Sequence, residues 1–282
     1  MKTSVSALLG LIRPRQWIKN TFVLAPLIFA REYLDPHSIT RAALAFVLFC
    51  VASSACYAVN DMHDVERDRA HPVKRLTRPL AAGLVPVRTA VLLLLVLYAL
   101  LILGFTVLPV VAMPILAYIA LNFAYTYVLK DQPVLDIFAI AAGFVLRVYA
   151  GAEALGVPLS SWMAITTLCL ALYLASIKRR QELQANGSEA RRVLREYSVT
   201  LVDRYAEMSA VGALIFYSLF VISTNNRLSV TIPLVIFGLF RYWYVVDTRA
   251  GGESPTDVLL TDWPLVLCLL AWVGACIVVL LQ

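Results

Sequence analysis

The sequence predicts an all-α, polytopic membrane protein, and three observations carry that prediction. Of 282 residues, 61% are hydrophobic and only 15% are charged, where a soluble globular chain carries roughly a quarter charged residues. The mean hydropathy is +0.79. Apolar runs of about twenty residues recur along the chain, long enough to cross a bilayer as helices that satisfy their own backbone hydrogen bonds.

About nine such spans are expected, near 18–34, 41–60, 88–107, 109–129, 133–152, 160–178, 207–224, 229–246 and 263–281. The first is short and has the least certain edges, because it follows a segment broken by Arg13, Pro14 and Arg15. That N-terminal stretch has no small-residue cleavage site after a sustained apolar region, so it is expected to stay on the mature chain. The second span runs directly into NDMHDVERDRAHPVKR (60–75), where charge replaces grease within a residue or two. Spans three and four, and spans five and six, are joined by brief outer connections near 104–110 and 153–159. Longer polar loops at 61–87 and 179–206 follow spans two and six, which hints at duplication without any residue-level repeat. Neither a linker nor a composition shift divides the chain, so residues 1–282 are expected to form one membrane domain. Cys50, Cys56, Cys169, Cys268 and Cys276 lie inside apolar runs without ligand spacing, as small buried side chains do.

The net charge of +6 is informative through its distribution. With the N-terminus inside, only Arg31, Arg41 and Arg227 fall in outer loops and Arg147 within a span, leaving 20 of the 24 lysines and arginines on the inner side. This is the asymmetry that marks a cytoplasmic face. The polar chemistry is therefore expected at the cytoplasmic face of the inner (plasma) membrane. The bases line loops between spans and form no soluble basic face, so no nucleic-acid partner is expected; the bilayer itself is. Assembly into a homo-oligomer is left open.

Asn60, Asp64 and Asp68 are spaced i, i+4, i+8 and so share one helix face, with Asp61 one position off it. Three oxygen-bearing side chains at the aqueous end of a span suit Mg²⁺, which prefers oxygen ligands and completes its shell with water and substrate phosphate. Asn60 falls just where the apolar run ends and favours the metal; the alternative is a merely solvated helix end, for which Glu66, Arg67 and Arg69 are good candidates. The basic tail beyond them contains His71, Lys74, Arg75 and Arg78. It can hold an anion, since arginine grips phosphate bidentately, or serve only as an inside anchor.

Ionisable residues inside a span are costly and normally meet a partner or a wet cavity. Asp136 and Arg147 fall within the fifth span, eleven residues apart, so each is expected to meet a group on another helix, a structural ion pair being the plainer alternative. Lys178, Arg179, Arg180 and Glu182 stand at the inner end of span six. Arg13, Arg15, Gln16, Lys19 and Asn20 open span one, while Tyr125, Lys130 and Asp131 close span four. Bases from three span ends thus share a face with the acid stripe, which suggests a cavity for a magnesium-complexed, phosphate-rich substrate.

The stretch NDMHDVERD resembles the first signature of the UbiA-type intramembrane prenyltransferase superfamily. The larger set RPRQWIKN, YAVNDMHDVERDRAHPVKR, GFVLRVYAGA, KRRQEL and RYWYVVD, spread over positions 13 to 247, resembles its decaprenyl-phosphate phosphoribosyltransferase branch. The resemblance implies a nine-helix fold around a central cavity open to cytoplasm and lipid. It also implies a reaction: transfer of 5-phosphoribosyl from phosphoribosyl diphosphate (PRPP) to a long-chain polyprenyl phosphate. Enzymes that attach prenyl chains to aromatic acceptors carry a second acid-rich motif after span six; here that place reads SIKRRQE.

On this resemblance Asn60, Asp64 and Asp68 hold Mg²⁺ on the donor diphosphate. Lys19, Lys130, Lys178 and Arg179 hold phosphates, and Arg147 is a further candidate at the lipid phosphate. Tyr125, Lys74, Arg75 and Arg78 are candidate substrate contacts. Asp64, Asp68 and Asp136 are the candidate catalytic residues, Asp136 in an orienting role. An ionised phosphate monoester attacks the anomeric carbon without a dedicated general base. Two other readings remain: an aromatic prenyltransferase with an unusual second motif, and a transporter or lipid-binding membrane protein, which would place charge deep in several spans.

Overall fold

A computed structural model describes residues 5–70, 72–186, 192–248, 258 and 261–282. Among these, the chain is helical throughout, with no strand, as expected for backbone that must satisfy itself in lipid. His71 and Arg249 lie outside the described residues.

Helix α1 (Val5–Ile12) leads through Arg13, in the left-handed region (φ 52°), into a 3₁₀ segment, Pro14–Leu24, and helix α2 (Ala25–Phe29). Helix α3 (Pro36–His63) is followed by α4 (Val65–Ala70), α5 (Lys74–Thr77), α6 (Val87–Val107) and α7 (Ala112–Tyr127). Then come α8 (Leu135–Leu155), α9 (Ser161–Asn186), α10 (Val199–Thr224), α11 (Ile232–Thr248) and α12 (Trp263–Leu281). Caps set several starts. Asp35 accepts the Ser38 N–H at 2.8 Å with Pro36 in the first turn of α3, and Ser198 and Asp262 cap α10 and α12 likewise.

Eight helices among the described residues are long and apolar enough to cross a membrane. They match the second to ninth expected spans. The first, near 18–34, is the exception: it is a broken 3₁₀–α path rather than one long helix. Pro14 and Pro26 each remove a backbone donor, so an uninterrupted ladder cannot run through both.

Helices α3 and α8 form the centre. In α8's apolar window 61% of residues are buried, against 22% in α6 and α12, which present their outer sides to lipid. Since lipid tails are as apolar as leucine, close backbone approach has to supply the packing, and small residues permit it. The buried face of α3 is rich in alanine and serine (Ala42, Ala45, Ala52, Ser53, Ser54, Ala55, Ala58), and α8 buries Ala141, Gly143, Ala150, Gly151 and Ala154. At Gly151 a Cβ would lie 1.9 Å from the Val23 carbonyl oxygen, so only glycine lets the 3₁₀ segment lie against α8. That contact seats Lys19 and Asn20 beside the centre of the bundle.

Candidate active site at one membrane face

The oxygen stripe survives the break between α3 and α4. Although α3 ends at His63, the Asp64 N–H still donates to the Asn60 carbonyl at 2.9 Å, and the Asp68 N–H to the Asp64 carbonyl at 2.8 Å. The i, i+4 ladder therefore carries Asn60, Asp64 and Asp68 along one face. Asp64 is its hub. Lys130 Nζ, only 3% exposed in its side chain, donates to Oδ1 at 2.7 Å, and Arg67 pairs with Oδ2 at 2.9 Å. Burial alone would raise the Asp64 pKa; the Lys130 hydrogen bond and the Arg67 charge outweigh it and hold the carboxyl below its ordinary value. Thr126 donates to Asn60 Oδ1 at 3.4 Å, and buried Asp68 lies 3.7 Å from Lys74.

Asp61 was legible in the sequence only as a residue off the stripe, yet it organises the site's edge. Its Oδ1 is shared by Arg13 and by Arg78 at 2.9 Å, while Oδ2 is buried with no hydrogen-bond partner among the described residues. One carboxylate thus pins the N-terminal segment and the 78–80 turn to the end of α3.

The donor set fits a hard cation that keeps open coordination positions. Asn60, Asp64 and Asp68 offer oxygens only, and bases stand beside them to meet an anion. Among the described residues no three His, Cys, Asp or Glu side chains gather tightly enough to cage a metal unaided. Magnesium characteristically takes one or two carboxylates and leaves the rest of its shell to water and phosphate, so this set suffices.

A second cluster lies at the inner ends of α8 and α9. Asp136 and Arg179 are both fully buried and joined at 2.6 Å. Arg179 also reaches Glu182 at 2.5 Å and the Tyr125 hydroxyl at 3.2 Å. The second Asp136 oxygen accepts from Tyr197 at 2.6 Å, and the same hydroxyl accepts the Val134 N–H at 2.6 Å. Burial, followed by the bond to Asp136, pushes the Tyr197 hydroxyl well above its ordinary pKa, so it stays a donor. Val134 has φ 67°, a strained conformation for a β-branched residue, and Tyr197 holds its peptide there. No local pattern marked Tyr197, which sits in the polar stretch after α9.

The expectation that Asp136 and Arg147 meet groups on other segments holds, though not with each other. Arg147 is 4% exposed and donates to Asn20 Oδ1 at 2.8 Å, the Gly143 carbonyl at 2.7 Å and the Tyr118 hydroxyl at 2.9 Å. Phe49, Tyr118 and Phe144 surround its guanidinium at 4.7–5.2 Å. The fork therefore ties the 3₁₀ segment to α7 and α8, away from the acid stripe. Arg147→Lys keeps the charge but cannot reach three acceptors from one ammonium. It should lower the melting temperature in detergent by several degrees while substrate KM stays within about twofold, because the loss is about 1–3 kcal/mol of buried hydrogen bonding rather than a ligand contact. Unchanged melting with a large KM increase would place Arg147 at substrate instead.

Of the remaining candidates, Lys178 is 37% exposed in its side chain and lies 3.7 Å from Glu182, and Lys19 is half-buried beside Asn20. Arg75 is exposed and has no ion pair among the described residues, consistent with an anchoring role. At the stripe and its edge, Arg13, Arg67, Lys74, Arg78 and Lys130 pair with Asp61, Asp64 and Asp68, five bases to three acids. The excess is positive, which suits anionic ligands.

Helical spans that gather an oxygen stripe and surplus bases at one face define a multi-pass membrane protein with a polar site at the membrane boundary. The chain belongs to the UbiA prenyltransferase family, whose profile matches residues 21–259. It is 38% identical to the decaprenyl-phosphate phosphoribosyltransferase of Corynebacterium glutamicum, over 96% of this chain and 86% of that one. It is 35% identical to the protein of the same name from Mycolicibacterium smegmatis, over 97% and 92%. The solved structure of a UbiA homologue from Archaeoglobus fulgidus, bound to GPP and Mg²⁺, superposes with a TM-score of 0.73 at 18% identity, covering 98% of this chain and 100% of that one. The family resemblance and the all-α membrane fold read from the sequence are thereby borne out.

Proposed function

We propose that the protein transfers 5-phosphoribosyl from PRPP to a long-chain polyprenyl phosphate and releases diphosphate. The observation that carries this reading is the junction at Asp64. There the oxygen stripe of α3–α4 meets Lys130 from the 3₁₀ turn (Leu129–Asp131) after α7, while Tyr125 near the end of α7 accepts from Arg179 at the basic end of α9. A stripe of oxygens alone fits a metal; a stripe next to surplus bases fits a metal-complexed diphosphate together with a second phosphate. The two relatives named above bear the same activity in their names.

In this reading an oxygen of the acceptor phosphate forms a bond to the anomeric carbon as that carbon's bond to the diphosphate oxygen breaks. The acceptor is already ionised at neutral pH, so no residue need take its proton. Asn60, Asp64 and Asp68 would hold Mg²⁺, which neutralises charge on the departing diphosphate. Lys130 and Lys178 bind and orient phosphates. Asp136 positions Arg179 and, through Tyr197, the entry to α8. The reaction faces the cytoplasm at the plasma membrane, where the inner bases of the positive-inside pattern stand.

The test uses purified protein in detergent or nanodiscs with labelled PRPP, a polyprenyl phosphate and Mg²⁺. A labelled ribosyl lipid is the expected product, and Lys178→Ala should raise the KM for a phosphate substrate about tenfold, the worth of one charge-assisted hydrogen bond. Failure to label any polyprenyl phosphate would sink the assignment. Transfer of a prenyl group from a prenyl diphosphate to an aromatic acceptor would favour the aromatic prenyltransferase reading instead. The end of α9 argues against that outcome, since it carries Lys178, Arg179 and Arg180 where a second acid motif would stand.

A further inference from the structure

The chain between α7 and α8 bends most sharply at Val134. The Leu135 N–H donates to the Pro133 carbonyl at 2.8 Å across it, and its φ of 67° and ψ of −46° complete a γ-turn of the rare, positive-φ kind. A β-branched residue is poorly suited to that conformation, which persists only where the surroundings impose it. The turn satisfies the Leu135 N–H and not Val134's own. That N–H donates to the Tyr197 hydroxyl at 2.6 Å, while the hydroxyl proton goes to Asp136 at 2.6 Å.

Tyr197 is itself fixed. It follows a short 3₁₀ helix, Arg192–Glu196, which packs against the 3₁₀ turn Leu129–Asp131. Its ring is buried with Val193, Leu194 and Val202, a cluster that also takes in Leu183 of α9. The polar stretch after α9 is therefore a strut, and its tip grips the joint that leads into α8. Lys130 stands four residues before that joint and reaches Asp64 at 2.7 Å. Tyr125 and Asp136, on either side of the connection, are both bonded to Arg179. The connection is thus tied at both ends to one guanidinium, and the Tyr197–Val134 bond sets the backbone between.

Resting on the site assignment above, we propose that Tyr197 is a positioning residue of the transfer reaction. By holding Val134 in its strained turn it sets Lys130 against Asp64 and against the phosphate that Lys130 binds. It acts through the backbone and touches no reacting atom.

Tyr197→Phe keeps the ring in its cluster and deletes only the hydroxyl, so Val134 should relax toward negative φ and carry Lys130 off Asp64. Lys130 is 3% exposed in its side chain, against 37% for Lys178. Acetylation of Lys130 by an N-hydroxysuccinimide ester, read by mass spectrometry with Lys178 as the internal reference, should rise about tenfold in the variant. The KM for a phosphate substrate should also rise about tenfold, the worth of one charge-assisted hydrogen bond, with kcat within about twofold, as when binding common to ground and transition states is lost.

Val134→Gly separates this role from a merely structural one. Val134 is exposed, and glycine adopts positive φ unaided, so the hydroxyl is no longer needed to hold the turn. Adding Val134→Gly to Tyr197→Phe should bring both readouts to within about threefold of Val134→Gly alone, whereas the melting loss from the broken Tyr197–Asp136 bond should persist. Unchanged Lys130 labelling in Tyr197→Phe, or the same KM shift with and without the glycine, would overturn the proposal. If Tyr197→Phe does not fold, a double variant that folds and matches Val134→Gly supports it, and one that stays unfolded or tenfold apart refutes it. Labelling needs no turnover, so wild-type protein that makes no ribosyl lipid would sink the functional reading and leave the role of Tyr197 to be decided by Lys130.

Discussion

Asp64→Asn is expected to lower transfer by about 10²–10³-fold while the protein still inserts, because it weakens the hold on the cation that would neutralise charge on the departing diphosphate. Two effects combine at this residue. Asparagine is a poorer ligand for a hard cation, so the metal contribution falls. Lys130, almost wholly buried, also loses its partner and stays behind as an uncompensated charge. The double variant Asp64→Asn, Lys130→Met distinguishes them, since it restores charge balance without restoring the oxygen donor. Recovery of melting temperature in the double variant assigns the stability loss to the stranded Lys130 charge, and a turnover in Asp64→Asn below that of Lys130→Met alone assigns the catalytic loss to the oxygen donor. Full turnover of the single variant across magnesium concentrations would refute the metal role outright.

The same substitution has a pH signature. Asp64 is held below its ordinary value, so its ion pairs contribute stability that is complete above the unfolded pKa near 3.8 and is lost as pH falls through the lower folded value. The difference in melting temperature between wild type and Asp64→Asn should therefore be flat from about pH 8 to 5 and shrink below about pH 4. A difference that grows on acidification would contradict the pairing with Lys130 and Arg67.

The spans were legible because length and hydropathy alone decide whether a segment can satisfy its backbone in lipid. The first one was not, since the 3₁₀ path from Pro14 to Leu24 follows from prolines and from Gly151's accommodation of Val23, a contact 128 positions away in the chain. The stripe of Asn60, Asp64 and Asp68 was legible for a similar reason: helical period fixes side-chain direction, and the backbone ladder continues through Asp64. Partner choice was hidden. Lys130 and Arg179 read alike as bases at span ends, yet one pairs with the stripe and the other is locked to Asp136. Arg147 was a further candidate at the lipid phosphate, and nothing in its position announced the three acceptors it has here, Asn20, Gly143 and Tyr118. Asp61 and Tyr197 bind segments 48 and 61 residues away, a relation with no local pattern to betray it.

Arg179→Met is expected to be the most destabilising single change in the candidate site. Asp136 has no exposure and would keep only the Tyr197 hydroxyl, and breaking a buried pair from one side typically costs about 3–5 kcal/mol. The loss should propagate, because Tyr197 also holds the strained Val134 peptide and Tyr125 loses its donor. Thermal melting in detergent and yield of folded protein are the measurements. Adding Asp136→Asn to Arg179→Met removes the stranded carboxylate and should recover part of the melting temperature, as interacting neighbours do in a double-mutant cycle. Lys178 provides the contrast: its side chain is partly exposed, so Lys178→Ala should change KM and leave melting nearly untouched. The two adjacent bases then divide the work, Arg179 building the floor of the site and Lys178 facing what binds there. Arg179→Met that melts like wild type but loses phosphate affinity would reverse that division, and Arg179 would have to release Asp136 whenever substrate arrives.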